Sequence, residues 1–180
     1  MIKKNTVSWF AIAVLFVAVN QSSLAQDGYV ANKVFYTELG GPGLIMSANV
    51  DGRFKSKERL GLGFRIGAGF GVGKFHNDQN PEKDVRRTYY SVPAGLNYVF
   101  GKPSVSSTFE VGAGVAYLTR EVSIYNIDVE KLSNWIGFVS FMYRVTPVNG
   151  GFSFRIGMTP IIGTAGDLFP MGALSLGYAF

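Results

Sequence analysis

Cysteine is absent from this chain of 180 residues. Disulfides, thiolate catalysis, cysteine metal sites and a lipid-modified N-terminal cysteine are therefore excluded. Histidine occurs only once, at His76, and no serine lies near it in the sequence. Because hydrolytic and acyl-transfer sites commonly hold a histidine beside a nucleophile or an acid, this scarcity argues against catalysis. We predict that the chain is not an enzyme and has no catalytic residues.

Metal and nucleotide sites are also weakly supported. The only histidine lies among loop carboxylates, in a set too sparse to predict a metal site: His76, Asp78, Glu82 and Asp84. The pair Gly67 and Gly69 is followed by Val72, where a dinucleotide-binding turn needs a third glycine. The sequence therefore predicts neither a bound metal nor a cofactor.

Long apolar runs and strong charge are missing as well. After residue 25, no segment has the ~20 consecutive apolar residues of a membrane-spanning helix. Charged residues make up only 16% of the chain, and the net charge of +5 includes Lys3 and Lys4. The remaining positive charge is scattered, which argues against a nucleic-acid partner. Glycine and aromatic residues are abundant instead, with 23 Gly, 15 Phe and 9 Tyr.

The N-terminus has the layout of a secretory signal peptide. Two lysines precede an apolar run from Trp9 to Val19, which is too short to span a bilayer as a helix. The small residues of Ser23-Leu24-Ala25 suit a signal peptidase. We predict a cleaved signal peptide over residues 1–25 and one domain over residues 26–180, with a retained anchor as the alternative.

Apolar residues alternate with glycine from Leu60 to Val72, and the one charge in the glycine face is Arg65. A period of two is typical of a β-strand. Bare glycines make a poor solvent surface but suit a crowded interior, so we expect the apolar face to point outward. A soluble lipid-binding barrel such as a lipocalin is the rival architecture, and it would need the faces reversed. The same alternation predicts strands over Thr88–Phe100, Phe109–Thr119, Trp135–Val145, Phe152–Thr159 and Ala173–Phe180.

The segment from Val34 to Phe54 supplies the remaining strands. Gly40-Gly41-Pro42-Gly43 has the composition of a turn and divides the segment into Val34–Leu39 and Leu44–Phe54. With this hairpin, the predicted fold is all-β: an eight-stranded antiparallel up-and-down transmembrane β-barrel. A single long strand kinked at the glycines, which would give seven strands, is the alternative.

The connections between the predicted strands alternate between long and short, as external loops and periplasmic turns do in outer-membrane barrels. The long connections are hydrophilic: Lys74–Arg87, Arg120–Ser133 and Gly163–Pro170. The short connections are tight turns: Lys102–Ser107 and Pro147–Gly150. The stretch Asp51–Arg59 is an exception, because it is long for a periplasmic turn unless the second strand extends well past Val50.

Two stretches are similar to a known family. One is the ending Ala173-Leu174-Ser175-Leu176-Gly177-Tyr178-Ala179-Phe180, an amphipathic strand that closes on an aromatic residue. The other runs from Glu38 through Gly40-Gly41-Pro42-Gly43 to Ser47, Asn49 and Arg53-Phe54. On these residues the chain resembles the small Gram-negative outer-membrane β-barrel family, which includes the OmpA membrane domain and OmpX.

The resemblance implies an outer-membrane location and a set of partners. It implies that the outer-membrane assembly machinery recognises the terminal strand through Leu176, Tyr178 and Phe180. The other expected partners are outer-membrane lipids and lipopolysaccharide. The basic residues of the predicted loop Lys74–Thr88 could contact the anionic groups of lipopolysaccharide. We expect a monomer.

Four ionisable residues fall on the predicted inner face: Glu38, Arg65, Glu110 and Arg155. Arg144 joins them by parity. Acids and bases can neutralise one another across a narrow interior, where an unpaired charge would cost several kcal/mol. We therefore predict a charge network that plugs the lumen, with a selectivity filter as the alternative.

Taken with the fold, this network predicts a small integral outer-membrane protein with a packed lumen. Its expected role is structural, in envelope integrity or in surface contacts. A channel for small solutes or ions is one alternative. An envelope-lipid-modifying enzyme is another, less well supported by the residues.

Overall fold

A computed structural model describes residues 30–75, 85–120, 134–163 and 166–180. The predicted signal peptide lies outside the described residues, so its cleavage stays a prediction. His76, Asp78, Glu82 and Asp84 also lie outside them. Within the described ranges, no helix is long and apolar enough to cross a membrane.

The described chain is built almost entirely of β-strands. Its ten strands, in chain order, are β1 Lys33–Gly40, β2 Met46–Arg53, β3 Gly61–Phe75, β4 Val85–Gly101, β5 Ser107–Leu118, β6 Trp135–Val145, β7 Gly151–Met158, β8 Ile161–Ile162, β9 Leu168–Phe169 and β10 Gly172–Ala179. Every pairing between neighbours is antiparallel, and one short 3-10 turn, Gly41–Gly43, separates β1 from β2.

The sheet closes on itself. β1 pairs with β10, and β5 pairs with β6, so the described sheet has no long free edge. The short strand β8 pairs with β6 in the register in which β7 pairs with β6. In the same way, β9 pairs with β8 in the register in which β10 pairs with β7. Counted as barrel strands, the ten elements form eight, which confirms the predicted eight-stranded antiparallel barrel.

The hairpin between β1 and β2 excludes the seven-strand alternative. The two strands pair directly, with Glu38 opposite Ser47. In the turn between them, Gly41, Pro42, Gly43 and Leu44 are buried. The turn therefore folds into the mouth of the barrel.

One predicted connection is shorter in the structure than in the sequence interpretation. β3 and β4 stay paired to Phe75 and Val85, so the predicted loop Lys74–Arg87 was too long at both ends. Polar side chains were taken as loop residues there, although backbone pairing does not depend on an apolar side chain. β2 extends past Val50 to Arg53, within the predicted strand Leu44–Phe54, so residues 54–60 connect it to β3.

The two ends of the barrel differ. We call the end that carries the connections 54–60, 102–106 and 146–150 the turn end, and the opposite end the loop end. The chain enters at the turn end near Ala31 and finishes there at Phe180, whose amide nitrogen donates to the Lys33 carbonyl at 2.9 Å.

The faces of the strands have the predicted parity. In β3 the large apolar side chains from Leu62 to Val72 are 38–54% exposed, whereas Arg65 is 1% exposed. Inward glycines leave room for neighbours, since a methyl group at Gly69 would collide with the Ser91 hydroxyl. The lipocalin alternative is wrong, because the apolar face is on the outside.

Candidate functional site in the barrel lumen

The lumen contains two layers of different chemistry. Toward the loop end lies an apolar cluster, here called the apolar cap, formed by Leu44, Tyr89, Ala116, Leu118, Ile136, Phe138 and Ile161, with Phe169 and Met171 packed against it. Toward the turn end lies a cluster of buried ionisable residues, here called the charged network, formed by Glu38, Asp51, Arg53, Arg65, Glu110, Arg144 and Arg155.

All five residues predicted for the lumen lie in the charged network. Alternation along each strand turns them inward, and none is more than 5% exposed: Glu38, Arg65, Glu110, Arg144 and Arg155. Their side chains form direct ion pairs rather than standing apart. The structure thus places these residues together, and whether they act as a plug or as a filter stays a prediction.

One ion pair joins strands β1 and β3. The Nη2 atom of Arg65 donates to Glu38 Oε1 at 2.6 Å. The other oxygen of Glu38 accepts a hydrogen bond from the Ser175 hydroxyl of β10 at 3.0 Å. Both carboxylate oxygens therefore have partners, as a buried carboxylate requires.

A second group of ion pairs is centred on Glu110 of β5. Its Oε1 atom accepts from Arg155 Nη2 at 2.5 Å, and its Oε2 atom accepts from Arg144 Nη1 at 3.0 Å. Arg144 also donates to Asp51 at 3.1 Å. Because Asp51 lies on β2 and Arg144 on β6, this contact crosses the lumen and ties opposite walls together.

The sequence interpretation missed Asp51, Arg53 and Asn97. Arg53 Nη2 donates to both oxygens of Asp51 at 2.8 and 2.9 Å, and to Asn97 Oδ1 at 2.6 Å. Asn97 in turn donates to Asp51. The signal was available, since Asp51 and Arg53 lie in the predicted strand Leu44–Phe54 and continue the inward parity of Ser47 and Asn49.

An aromatic ring lies close to two of the guanidinium groups. The Cζ atom of Arg155 lies 4.4 Å from the centroid of the Tyr36 ring, and that of Arg65 lies 5.8 Å from it. Such contacts stabilise a cation that has lost its water. Tyr36 therefore accommodates two like charges in the same narrow interior.

Arg59 closes the turn end with hydrogen bonds to backbone carbonyls. Its guanidinium donates to Thr146 at 2.8 Å, to Pro103 at 3.2 Å and to Lys102 at 3.3 Å, and it also donates to the Val105 carbonyl. Burial lowers the pKa of Arg59, and the positive charge of Arg144 lowers it further. None of these partners in the described structure is a carboxylate.

The residues predicted as an assembly signal lie outside the lumen. Leu176, Tyr178 and Phe180 are exposed on the outer face at the end of the closing strand. This position leaves them free to be recognised, and their role stays a prediction. Within the described ranges, no group of three or more metal-ligating side chains occurs.

Comparisons with known proteins agree on the architecture. No protein family matches the chain, and no curated protein matches it. The N-terminal β-barrel domain of Pseudomonas aeruginosa OprF matches with a TM-score of 0.50 and 15% identity, over 84% of this chain and 99% of that domain. The chain has the fold of the small outer-membrane β-barrels.

Two further solved structures match the chain. The outer membrane protein Ail of Yersinia pestis, in a phospholipid bilayer nanodisc, matches with a TM-score of 0.52 and 11% identity, over 83% of this chain and 99% of Ail. The outer membrane enzyme PagL matches with a TM-score of 0.46 and 15% identity, over 83% and 99% of the two chains. At these identities the likeness concerns the fold alone.

Proposed function

We propose that this chain is a monomeric, non-enzymatic protein of the outer membrane that strengthens the envelope or presents its loops for surface contacts. The observation that carries the proposal is the inverted distribution of side chains. Apolar residues cover the outside of the barrel, and charged residues are buried inside it. This arrangement suits a hydrocarbon solvent and would be costly in water.

The dimensions of the barrel support a membrane location. A transmembrane β-strand needs about 9 to 11 residues, and β5 and β6 have 12 and 11. Closure of the sheet pairs the backbone groups that hydrocarbon could not satisfy. Exposed aromatic residues lie near the strand ends, including Phe100, Phe109 and Tyr143 at the turn end, where membrane interfaces favour aromatic rings.

The two lumen layers support a closed interior rather than an open channel. The contact between Arg144 and Asp51 bridges opposite walls, and the apolar cap fills the other end behind the buried turn at Leu44. A hydrated solute would have to separate ion pairs and then cross apolar packing. We therefore infer that the lumen does not conduct steadily.

Lipids, lipopolysaccharide and the assembly machinery are the partners that this proposal requires. The lipids would contact the outward apolar face, and the assembly machinery would recognise Leu176, Tyr178 and Phe180. The Phe180→Ser variant should be assembled into the outer membrane in low yield. Once folded, the barrel of this variant should have nearly the stability of the wild type. Normal surface yield of this variant would contradict the assembly role.

Folding in detergent tests the membrane proposal. The mature chain should refold into a β-rich species whose electrophoretic mobility changes on heating, because only the closed barrel resists detergent. A cooperative, water-soluble monomer without detergent would contradict it. Planar-bilayer recording then tests the closed lumen, and lipid profiling of a deletion strain tests the enzyme alternative.

A further inference from the structure

A small cavity lies at the turn end of the lumen, below the ion pairs of the charged network. Its volume is about 10 Å³, which is about the space that one water-sized particle needs. Three guanidinium groups line it, from Arg53, Arg59 and Arg144, together with Thr108 and Thr146. None of the described residues that line the cavity is acidic.

The buried charges do not balance. Five arginines among the described residues are at most 8% exposed: Arg53, Arg59, Arg65, Arg144 and Arg155. Only three carboxylates are buried with them: Glu38, Asp51 and Glu110. Five positive charges against three negative charges leave an excess of two, and an uncompensated buried charge is strongly unfavourable.

The excess is concentrated beside the cavity. Arg59 binds carbonyl oxygens only, so its charge has no anionic partner among the described residues. Arg53 and Arg144 share Asp51, and Arg144 and Arg155 share Glu110, so two carboxylates serve three guanidiniums. The local surplus of positive charge therefore lies beside the cavity.

One donor of a residue that lines the cavity also lacks a partner. The Nε atom of Arg53 is buried and makes no hydrogen bond, although Arg53 is only 6% exposed. Buried donors in native proteins are nearly always satisfied. An anion in the cavity would supply an acceptor beside the Arg53 side chain and one of the two missing negative charges.

We propose that this cavity is a binding site for a small monoatomic anion, chloride, held by Arg53, Arg59 and Arg144. The small volume of the cavity excludes sulfate and phosphate, which carry four oxygens around a central atom. Chloride is somewhat larger than a water molecule, so the arginine side chains must move slightly apart to admit it. The site lies between the connections of the turn end and the charged network. It is independent of where the protein resides and of whether the lumen conducts.

Bromide crystallography tests the site directly. Crystals of the refolded mature protein grown in sodium bromide should show an anomalous peak in contact with Arg53, Arg59 and Arg144. A peak at exposed lysines alone would mark an adventitious ion only. That result, or no peak, would overturn the proposal and leave water as the occupant.

Thermal unfolding in detergent gives a solution measurement. Replacing gluconate by chloride at constant ionic strength should raise the unfolding temperature of the wild type by about 2–4 °C, because a ligand that binds only the folded state stabilises it. Equal ionic strength keeps general screening the same. The same temperature in both salts would contradict a chloride site.

Two variants distinguish site binding from a general salt effect. Ala31→Val adds two methyl groups to a residue that lines the cavity, whereas Ala48→Val adds them on the exposed outer face. Arg59→Gln removes the charge that has no carboxylate, with Arg120→Gln, on an exposed residue, as its control. The chloride shift should disappear in Ala31→Val and Arg59→Gln and persist in both controls. An equal shift in all four variants would overturn the proposal.

Discussion

The two layers of the lumen stabilise the same barrel by opposite means. The apolar cap excludes water by packing, and its contribution depends on how completely its side chains fill the space. The charged network contains groups whose desolvation is unfavourable and is offset only while every partner is present. Substitutions in the apolar cap should therefore lower the free energy of unfolding in proportion to the volume that they remove. The loss of a single partner in the charged network should lower it sharply.

The largest effect should come from removing Glu110, one of the two acids that pair with two arginines each. Glu110→Ala leaves Arg155 without its carboxylate and Arg144 with Asp51 alone. We expect a loss of about 3–5 kcal/mol in the free energy of unfolding, measured by urea titration in lipid vesicles. Glu58→Ala is the matched control, because Glu58 is exposed and only pairs with Lys55 on the surface. A loss no larger than that of the control would contradict the network.

A cavity in the apolar cap should cost somewhat less. Leu118 is fully buried in the cap, so Leu118→Ala should lower the free energy of unfolding by about 3 kcal/mol. Unlike the loss in Glu110→Ala, this loss should be almost independent of salt, since no charge is involved. A strong salt dependence for Leu118→Ala would show that the two layers do not differ as described.

The charged network can also be compared with the outer face of the same strand. Leu176 is exposed on β10, and Ser175 beside it is buried against Glu38. Leu176→Arg should cost about 2 kcal/mol in a bilayer, because arginine on the lipid face is unfavourable. The cost of Ser175→Arg should instead depend on the neighbouring residues of the charged network.

The combination with Arg155 makes this comparison sharper. Ser175 lies opposite Arg155 on the neighbouring strand, so Ser175→Arg should be tolerated better when Arg155→Ser is also present. The same second change should not alter the cost of Leu176→Arg. Additive effects in both pairs would contradict the assigned faces.

The smallest effect is expected at the turn that fills the loop end. Leu44 has φ 69° and ψ −62°, the geometry of a γ-turn that is strained for any residue with a Cβ. Leu44→Ala and Leu44→Gly both lose the buried side chain, but glycine also relieves the strain. The glycine variant should be more stable than the alanine variant by about 1 kcal/mol. The reverse order would exclude strain at this residue.

The sequence predicts the barrel well because the faces of its strands differ so strongly. Alternation in β3 gave the outward face correctly, and parity alone placed Glu38 and Arg155 in the lumen. The apolar cap was harder to predict from the sequence. Ile136 and Phe138 point inward although they are apolar, so β6 has apolar residues on both faces and its pattern is blurred.

Other parts of the lumen depend on tertiary structure. Asp51 and Arg53 lie in the predicted second strand but were not assigned to the charged network, because their partners lie on β4 and β6, far away in the sequence. The inward fold of the turn at Leu44 follows from apolar contacts with distant strands. No local pattern in the glycine-rich sequence predicts those contacts.

The central claim is that the outer face of the barrel meets hydrocarbon, and fluorescence of Trp135 tests it most directly. This residue is 57% exposed on the outer face, and it is the only tryptophan after the predicted signal peptide. In vesicles whose lipids carry bromine in the upper part of the acyl chains, Trp135 fluorescence should be strongly quenched relative to unbrominated vesicles. Equal fluorescence in the two kinds of vesicle, with the protein folded and free in the aqueous phase, would contradict the account.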